Sequence, residues 1–122
     1  MNQIAYFEIQ AGNPERLAAF YQAVFGWRLT EQKCLPIRYW RIETEGMAGG
    51  LLERPAPPPP ECGTNAYTCS IEVPDFERAA ENILAHGGQV AMPKFEIPGR
   101  CWQGYFIDPD HNVFGIFEVI GQ

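Results

Sequence analysis

The sequence predicts an α+β fold in which a strand–helix–three-strand module occurs twice. Two amphipathic helical patterns each follow a short segment of β-type composition, and three further strand-like segments follow each helix. A proline-rich stretch separates the two halves. The length of 122 residues suits one domain. We therefore expect a single domain over residues 1–122, with a first module at 1–54, a linker at 55–63 and a second module at 64–122.

The first strand is predicted over residues 4–10, "IAYFEIQ", and the first helix follows it directly. Asn13 is a favourable N-cap, Pro14 suits the first helical position, and Gly26 supplies the stop. Apolar side chains recur with the spacing of one helix face, which predicts that this face is buried. Its members are Leu17, Phe20, Tyr21 and Val24.

The second strand–helix pair repeats this pattern. The strand is predicted over residues 67–73, "YTCSIEV", and Asp75 is the expected N-cap of the helix. Gly87 and Gly88 end the helix. Its predicted apolar stripe consists of Phe76, Ala79, Ala80, Ile83 and Leu84.

The remaining strands are interrupted by glycine and proline. In the first half they are "WRLTEQ", "IRYWRIET" and "AGGLLER", and in the second half "QVAMPKFEI", "WQGYFIDP" and "NVFGIFEV". The connector "RPAPPPPECG" contains four consecutive prolines, which donate no backbone hydrogen bonds, so we expect it to be extended. The pairs Glu15–Arg16 and Glu77–Arg78 lie 77 − 15 = 62 residues apart, which supports an internal repeat.

The charge balance excludes some classes of partner. Nine basic and fifteen acidic residues give a net charge of −6, which argues against nucleic acid and against an anionic membrane surface. No apolar run approaches the roughly 20 residues of a membrane span, and the start lacks a signal-peptide pattern, so we expect a cytoplasmic protein. The four cysteines have no metal-site spacing and are expected to be reduced thiols: Cys34, Cys62, Cys69 and Cys101.

Four segments together resemble the glyoxalase/bleomycin-resistance/dioxygenase superfamily, also called vicinal oxygen chelate proteins. They are "FEIQAGNPERLAAFYQAVFGW", "GGLLERP", "VPDFERAAENILAHGGQV" and "FIDPDHNVFGIFE". The resemblance implies two tandem βαβββ modules whose curved mixed sheets surround a cleft. It also implies a homodimer, because a second subunit often completes the cleft in this superfamily.

The segment "DPDHN" resembles the tight turn that precedes the last strand in this superfamily. Its aspartates and asparagine readily bond their own backbone, so we interpret His111 as a turn residue rather than a metal ligand. His86 is interpreted as a surface residue in the last turn of the second helix.

Metal-dependent members place one ligand on the first and one on the last strand of each module. The matching positions here are Ile4, Gly50, Thr68 and Gly115. Isoleucine and glycine have no side-chain donor, and threonine is a poor ligand. We therefore predict no resident metal and no other cofactor.

Strand alternation selects candidate ligand-binding residues. Tyr6 and Glu8 share one face of the first strand, and Thr68, Ser70 and Glu72 share one face of the corresponding strand in the second module. Glu8 and Glu72 are related by the repeat, so we expect them to lie across the cleft from each other, where they could act as acid and base, bind a cation or chelate a metal. Alternatively, each meets solvent or a nearby arginine at a strand end. Gly49, Gly50 and Gly115 either leave room for a flat ligand or a second backbone, or mark a bend in a curved sheet. The remaining candidates are Tyr39, Gly50, Trp102 and Tyr105.

Three functional classes remain open from the sequence. We favour a metal-free protein that binds a small organic ligand, since the metal-ligand positions lack donors; antibiotic sequestration is one version. The alternative is a metal-dependent lyase, isomerase or dioxygenase of the same superfamily. The third is an interaction module without small-molecule chemistry. Whether the chain is an enzyme is left open, because one fold hosts many activities.

Overall fold

The structure is a computed structural model that describes residues 1–33, 35–56 and 67–121. Cys34, Cys62 and most of the predicted linker at 55–63 lie outside these residues. The predicted α+β class is confirmed, with two successive strand–helix–three-strand modules. The elements are β1 (Gln3–Ala11), α1 (Pro14–Phe25), β2 (Arg28–Glu31), β3 (Tyr39–Glu43), β4 (Ala48–Glu53), β5 (Thr68–Glu72), α2 (Phe76–Ala85), β6 (Gln89–Ile97), β7 (Cys101–Ile107) and β8 (Val113–Val119).

The chain forms two compact units. The first unit is Tyr6–Tyr67, and the second unit is Met1–Ala5 with Thr68–Gln122. The strand order is β2-β3-β4-β1 in the first unit and β5-β8-β7-β6 in the second. In each module the first and last strands pair in parallel and the other neighbours pair antiparallel. The same pairing scheme thus occurs twice, as the internal repeat predicts, whereas the cleft stays a prediction.

Both helices begin and end at residues that the sequence marks. The side chain of Asn13 accepts a hydrogen bond from the backbone N–H of Arg16 at 3.1 Å. That of Asp75 accepts one from the N–H of Arg78, also at 3.1 Å. Gly26 ends α1 with a φ of 73°, a left-handed conformation that glycine adopts without a Cβ penalty.

The core of the first unit lies between its sheet and α1. Its buried members are Ile9, Ala11, Ala18, Trp40, Ile42 and Leu51. The predicted buried face of α1 is wrong in part, because Phe20 and Val24 are 52% and 55% exposed. Leu17 and Tyr21 of the predicted face do pack against this core, beside the buried Pro14 and Ala18. The core thus contacts only one side of the predicted face and leaves Phe20 and Val24 exposed.

The core of the second unit lies between its sheet and α2. Its buried members are Val73, Phe76, Phe106 and Ile116, with Ala79, Ala80 and Ile83 of the predicted stripe packed against them. Leu84 is 50% exposed, so the stripe is one residue narrower than predicted. Burial raises the pKa of the Cys101 thiol, which is free, as is Cys69. In the part of the chain that the structure describes, neither helix is long and apolar enough to span a bilayer.

The segment "DPDHN" forms a turn, as predicted. Asp108 Oδ1 accepts hydrogen bonds from the N–H groups of Asp110 at 2.8 Å and Asn112 at 3.0 Å. These bonds hold the pKa of the Asp108 carboxyl below its ordinary value. His111 has a φ of 68° and is exposed, so it is a turn residue in a left-handed conformation.

Replacing His111 by glycine should raise the free energy of unfolding by about 0.5 kcal/mol. The left-handed conformation costs a non-glycine residue about 1–2 kcal/mol, and the greater freedom of glycine in the unfolded chain offsets part of this gain. Urea unfolding followed by circular dichroism measures the difference. His86→Gly is the control and should destabilise, since His86 has a φ of −106° and its Nδ1 donates to Asn82 O at 2.8 Å. A destabilised H111G protein contradicts the interpretation.

Candidate functional site

The sheet of the first unit has one face packed on α1 and an opposite face that the helix does not cover, which we call open in that sense only. Strand register places Glu8 beside Gly50 and Gly50 beside Arg41, in a row across β1, β4 and β3. Ile9, Leu51 and Trp40 form the neighbouring row and are buried in the core, so the first row lies on the opposite side. We call the residues on that side the first open face: Tyr6, Glu8, Tyr39, Arg41 and Gly50.

Two tyrosine hydroxyls cover Gly50. Tyr6 Oη and Tyr39 Oη lie 2.5 Å apart and share a hydrogen bond. A Cβ atom added to Gly50 would overlap both hydroxyls and would lie 2.5 Å from Tyr39 Cε2. From the sequence alone, Gly50 either makes room for a flat ligand or a second backbone, or marks a bend in the strand. The strand register is regular here, and the space is filled by the protein's own hydroxyl pair.

The second unit has a comparable open face, centred on Gly115. Gly115 pairs with Ser70 on one side and with Tyr105 on the other. Gln103 Nε2 donates to Ser70 Oγ at 3.3 Å, and both residues are buried, with exposures of 4% and 0%. A Cβ atom at Gly115 would lie 2.7 Å from Gln103 Nε2 and would also overlap Ser70 Oγ. We call Ser70, Gln103, Tyr105 and Gly115 the second open face, where Phe95 stacks on Tyr105 with ring centroids 6.4 Å apart.

The structure changes two of the position assignments made from the sequence. Ile4 belongs to the second unit and is 52% exposed, so the first-strand side chain that contacts Gly50 is that of Tyr6. Glu8 pairs with Gly50 as Ser70 pairs with Gly115. Glu8 therefore corresponds to Ser70 in the repeat, not to Glu72. A direct approach of Glu8 and Glu72 stays a prediction.

Most other predicted site residues take the positions that strand alternation indicates. Thr68 and Glu72 are half-buried in β5 and alternate with the core-facing Ile71. Trp102 is the exception: it packs against the core of the second unit, with Lys94 Nζ 4.6 Å from its ring centroid. It therefore lies on the face away from Gln103, which does not support its selection as a ligand contact.

Arg41 and Gln103 were missed from the sequence. Arg41 sits two residues from Tyr39, which was selected, and alternation would place the two on one face. Gln103 lies between Trp102 and Gly104 and follows no motif. Its position opposite Ser70 depends on the pairing of β5, β8 and β7, which sequence alone does not reveal.

The donor atoms at these positions do not fit a resident metal ion. Both predicted last-strand ligand positions are glycines, and the polar groups that cover them are neutral hydroxyls and an amide that already bond one another. Residues 1–33, 35–56 and 67–121 hold no group of three or more His, Cys, Asp or Glu placed to bind a metal. Hard cations need several charged or strongly polar oxygen or nitrogen ligands together.

Known proteins resemble the chain over nearly its whole length. "Putative glyoxylase CFP32" from Mycobacterium bovis and Mycobacterium tuberculosis is 23% identical over 119 residues, covering 93% of this chain and 44% of the relative. The chain therefore spans less than half the length of these curated relatives.

Solved structures share the fold. A hypothetical protein from Bacillus halodurans C-125 superposes with a TM-score of 0.75 at 16% identity, covering 98% of this chain and 96% of that chain. Methylmalonyl-CoA epimerase from Streptomyces coelicolor gives a TM-score of 0.70 at 14% identity, covering 99% of both chains. The epimerase from Mycobacterium tuberculosis gives 0.71 at 12% identity, covering 97% of this chain and 88% of that chain.

A family model matches residues 3–116, nearly the whole chain. The chain belongs to the glyoxalase/bleomycin resistance protein/dioxygenase superfamily.

Proposed function

We propose that this protein binds a small organic molecule without a metal ion. One observation carries the proposal: the hydroxyls of Tyr6 and Tyr39 occupy the space above Gly50, where metal-dependent members of the superfamily place a ligand side chain. The proposal includes a homodimer, a cytoplasmic location, and no nucleic-acid or membrane partner.

The first open face offers hydrogen-bonding groups of several kinds. The tyrosine pair contributes two polar hydroxyl groups to this face. Glu8 supplies a carboxylate and Arg41 a guanidinium on either side of Gly50. These groups match a flat molecule that carries polar groups at its edge. The net negative charge of the chain would attract a cationic centre in such a molecule.

A ligand screen tests the proposal. We expect at least one compound in a panel of flat metabolites and cationic aromatic antibiotics to raise the melting temperature. Saturation at about 100 Kd adds about 2.7 kcal/mol, which amounts to several degrees for a domain of this size. Calorimetry should then show three- to tenfold weaker binding by the Tyr39→Phe variant, since one hydrogen bond contributes about 0.5–1.5 kcal/mol.

The chain supplies a matched control. Tyr67 forms a hydroxyl pair of the same 2.5 Å length with Tyr21, and neither residue belongs to an open face. Tyr67→Phe should therefore leave the affinity for a ligand on the first open face unchanged, whereas a ligand in the separate pocket that Tyr67 lines at the start of α1 would respond to Tyr67→Phe and not to Tyr39→Phe. A panel without any binder, or equal losses in the two variants, contradicts the proposal.

The alternative function is that of a metal-dependent lyase, isomerase or dioxygenase, which superfamily membership alone favours. Elemental analysis separates the two. After incubation with Zn²⁺, Ni²⁺, Co²⁺ or Fe²⁺ and gel filtration, we expect metal far below one equivalent per chain. A retained equivalent that a chelator removes together with a measurable activity would establish the alternative.

A further inference from the structure

The first unit contains a pocket of about 460 Å³ where β1 ends and α1 begins. Ile9 and Ala11, both buried, and the half-buried Leu17 contribute apolar surface to it. None of the residues that define the first open face lines it. Its volume lies within the range of about 300–1,000 Å³ that small-molecule sites occupy. The pocket is therefore a separate place at which a ligand fits.

Basic side chains line this pocket. Arg16 and Arg54 both belong to its described lining, and none of the other described lining residues is acidic. Arg54 is held in position: its Nη2 donates to Gln10 O at 3.1 Å and its backbone N–H to Ala11 O at 2.8 Å. The ordered guanidinium of Arg54 therefore contributes a fixed positive charge to the pocket wall, and Arg16 lies exposed in the first turn of α1.

One wall of the pocket is aromatic. Tyr21 stacks on Trp27 with ring centroids 5.1 Å apart and an interplanar angle of 4°, and Phe20 meets Tyr21 edge-on at 5.2 Å. The hydrogen bond between the hydroxyls of Tyr21 and Tyr67, together with burial, raises the pKa of Tyr21 to about 12. The phenol therefore stays neutral at physiological pH and adds no negative charge. Phe20 is 52% exposed and presents apolar surface to an incoming molecule.

We propose that this pocket binds a small amphipathic acid, in which a flat apolar body packs against Phe20 and Tyr21 and a carboxylate pairs with Arg16. A guanidinium group matches a carboxylate geometrically and gives charge-assisted hydrogen bonds. Inorganic phosphate would pair with Arg16 alone and would leave the aromatic wall unused. The site is a second one, distinct from the open faces, and does not depend on what those faces bind.

A titration of ¹⁵N-labelled protein followed by NMR tests the proposal. We expect phenylacetate to shift the amide resonances of Gly12 and Arg16 with a saturable curve and to leave Gly99 unchanged. The neutral analogue 2-phenylethanol and inorganic phosphate should each bind at least tenfold more weakly. Raising the salt concentration should weaken phenylacetate binding, since charge pairs at a partly open site are screened.

The internal repeat provides the matched variant. Arg16 and Arg78 occupy equivalent exposed positions in the first turns of α1 and α2, each with its backbone N–H bonded to the N-cap side chain. Arg16→Gln should weaken phenylacetate binding about tenfold, a change of about 1.4 kcal/mol. Arg78→Gln removes the same charge and should have no effect.

Three results overturn the proposal. One is the absence of saturable shifts at Gly12 and Arg16 with phenylacetate at millimolar concentration. Another is that Arg16→Gln and Arg78→Gln weaken phenylacetate binding equally, which would show that only the overall charge of the protein matters. The third is phosphate binding as tight as that of phenylacetate, which would remove any role for the aromatic wall. A Gly50→Ala variant that remains folded should retain the site, so failure here is separable from failure of the open-face proposal.

Discussion

Gly50→Glu should lower the free energy of unfolding by about 3 kcal/mol and should not create a metal site. The new side chain must displace the hydroxyls of Tyr6 and Tyr39, which already occupy the position of its Cβ. Overpacking costs about 1–3 kcal/mol, and a carboxylate placed at a buried strand position adds a desolvation penalty. Urea unfolding in the presence and absence of Zn²⁺ measures both parts of the expectation.

Gly46→Glu is the control for Gly50→Glu. It makes the same chemical change at an exposed position, where the nearest atom to an added Cβ is Thr44 Oγ1 at 3.9 Å. We expect a change within about 0.5 kcal/mol there. A G50E protein that is as stable as the parent and gains stability from Zn²⁺ would show that the hydroxyls of Tyr6 and Tyr39 are displaced at little energetic cost.

A double-mutant cycle isolates the contact with the hydroxyls. Gly50→Ala should destabilise less in a background that carries Tyr6→Phe and Tyr39→Phe, because both overlapping oxygens are then gone. The relief should be partial, since a Cβ at Gly50 also lies 2.5 Å from Tyr39 Cε2. Additive effects of these changes would contradict direct contact.

Glu118→Ala should lower the free energy of unfolding by about 2 kcal/mol. Glu118 Oε1 accepts a hydrogen bond of 2.7 Å from the backbone N–H of Phe76, the first residue of α2. The carboxylate lies at the positive end of the helix and bonds an N–H that has no acceptor within the helix. Since Phe76 is 2% exposed, loss of the acceptor leaves a poorly solvated donor, at a cost of about 1–3 kcal/mol.

Glu118→Gln separates charge from hydrogen bonding. It keeps an acceptor oxygen and should cost about half as much, because bonds to charged groups are the stronger ones. Glu96→Ala removes a charge at an exposed strand position and serves as the control. Thermal unfolding of the three proteins ranks them. Equal losses in E118A and E96A would assign the effect to net charge alone.

Features that depend on neighbours in sequence could be predicted. The helix boundaries follow from Asn13, Gly26 and Asp75 because each acts on a backbone only a few residues away. Alternation along β1 and β5 likewise placed Tyr6 with Glu8 and Thr68 with Ser70. The order of elements and the repeat followed from the same local signals.

The buried face of α1 could not be predicted from periodicity alone. Leu17, Phe20, Tyr21, Val24 and Phe25 form one apolar arc of about 140° on the helix, so periodicity does not show which part of the arc meets the sheet. The core contacts the part of the helix that carries Leu17 and Tyr21, next to the buried Pro14 and Ala18. Packing partners that come from distant segments are not visible in a helical pattern.

The two open faces required strand pairing to be seen. Tyr6 and Tyr39 are 33 residues apart, and Ser70 and Gln103 are separated by the same distance. In each pair the two side chains meet over a glycine of the strand between them. The sequence shows that these glycines lack a metal-binding side chain, but it does not show which residues cover them. Trp102 was selected for its aromatic character, and the alternation of β7 places it on the other face.

The covered glycine of β4 also limits how such a protein can change over generations. A lineage that acquired an ion-binding carboxylate at position 50 would need altered tyrosines on two other strands at nearly the same time. Each substitution taken singly either crowds the sheet or leaves it with a gap, so a short mutational path passes through a less stable intermediate. The hydroxyl pair over Gly50 thus makes this glycine hard to replace in a single step.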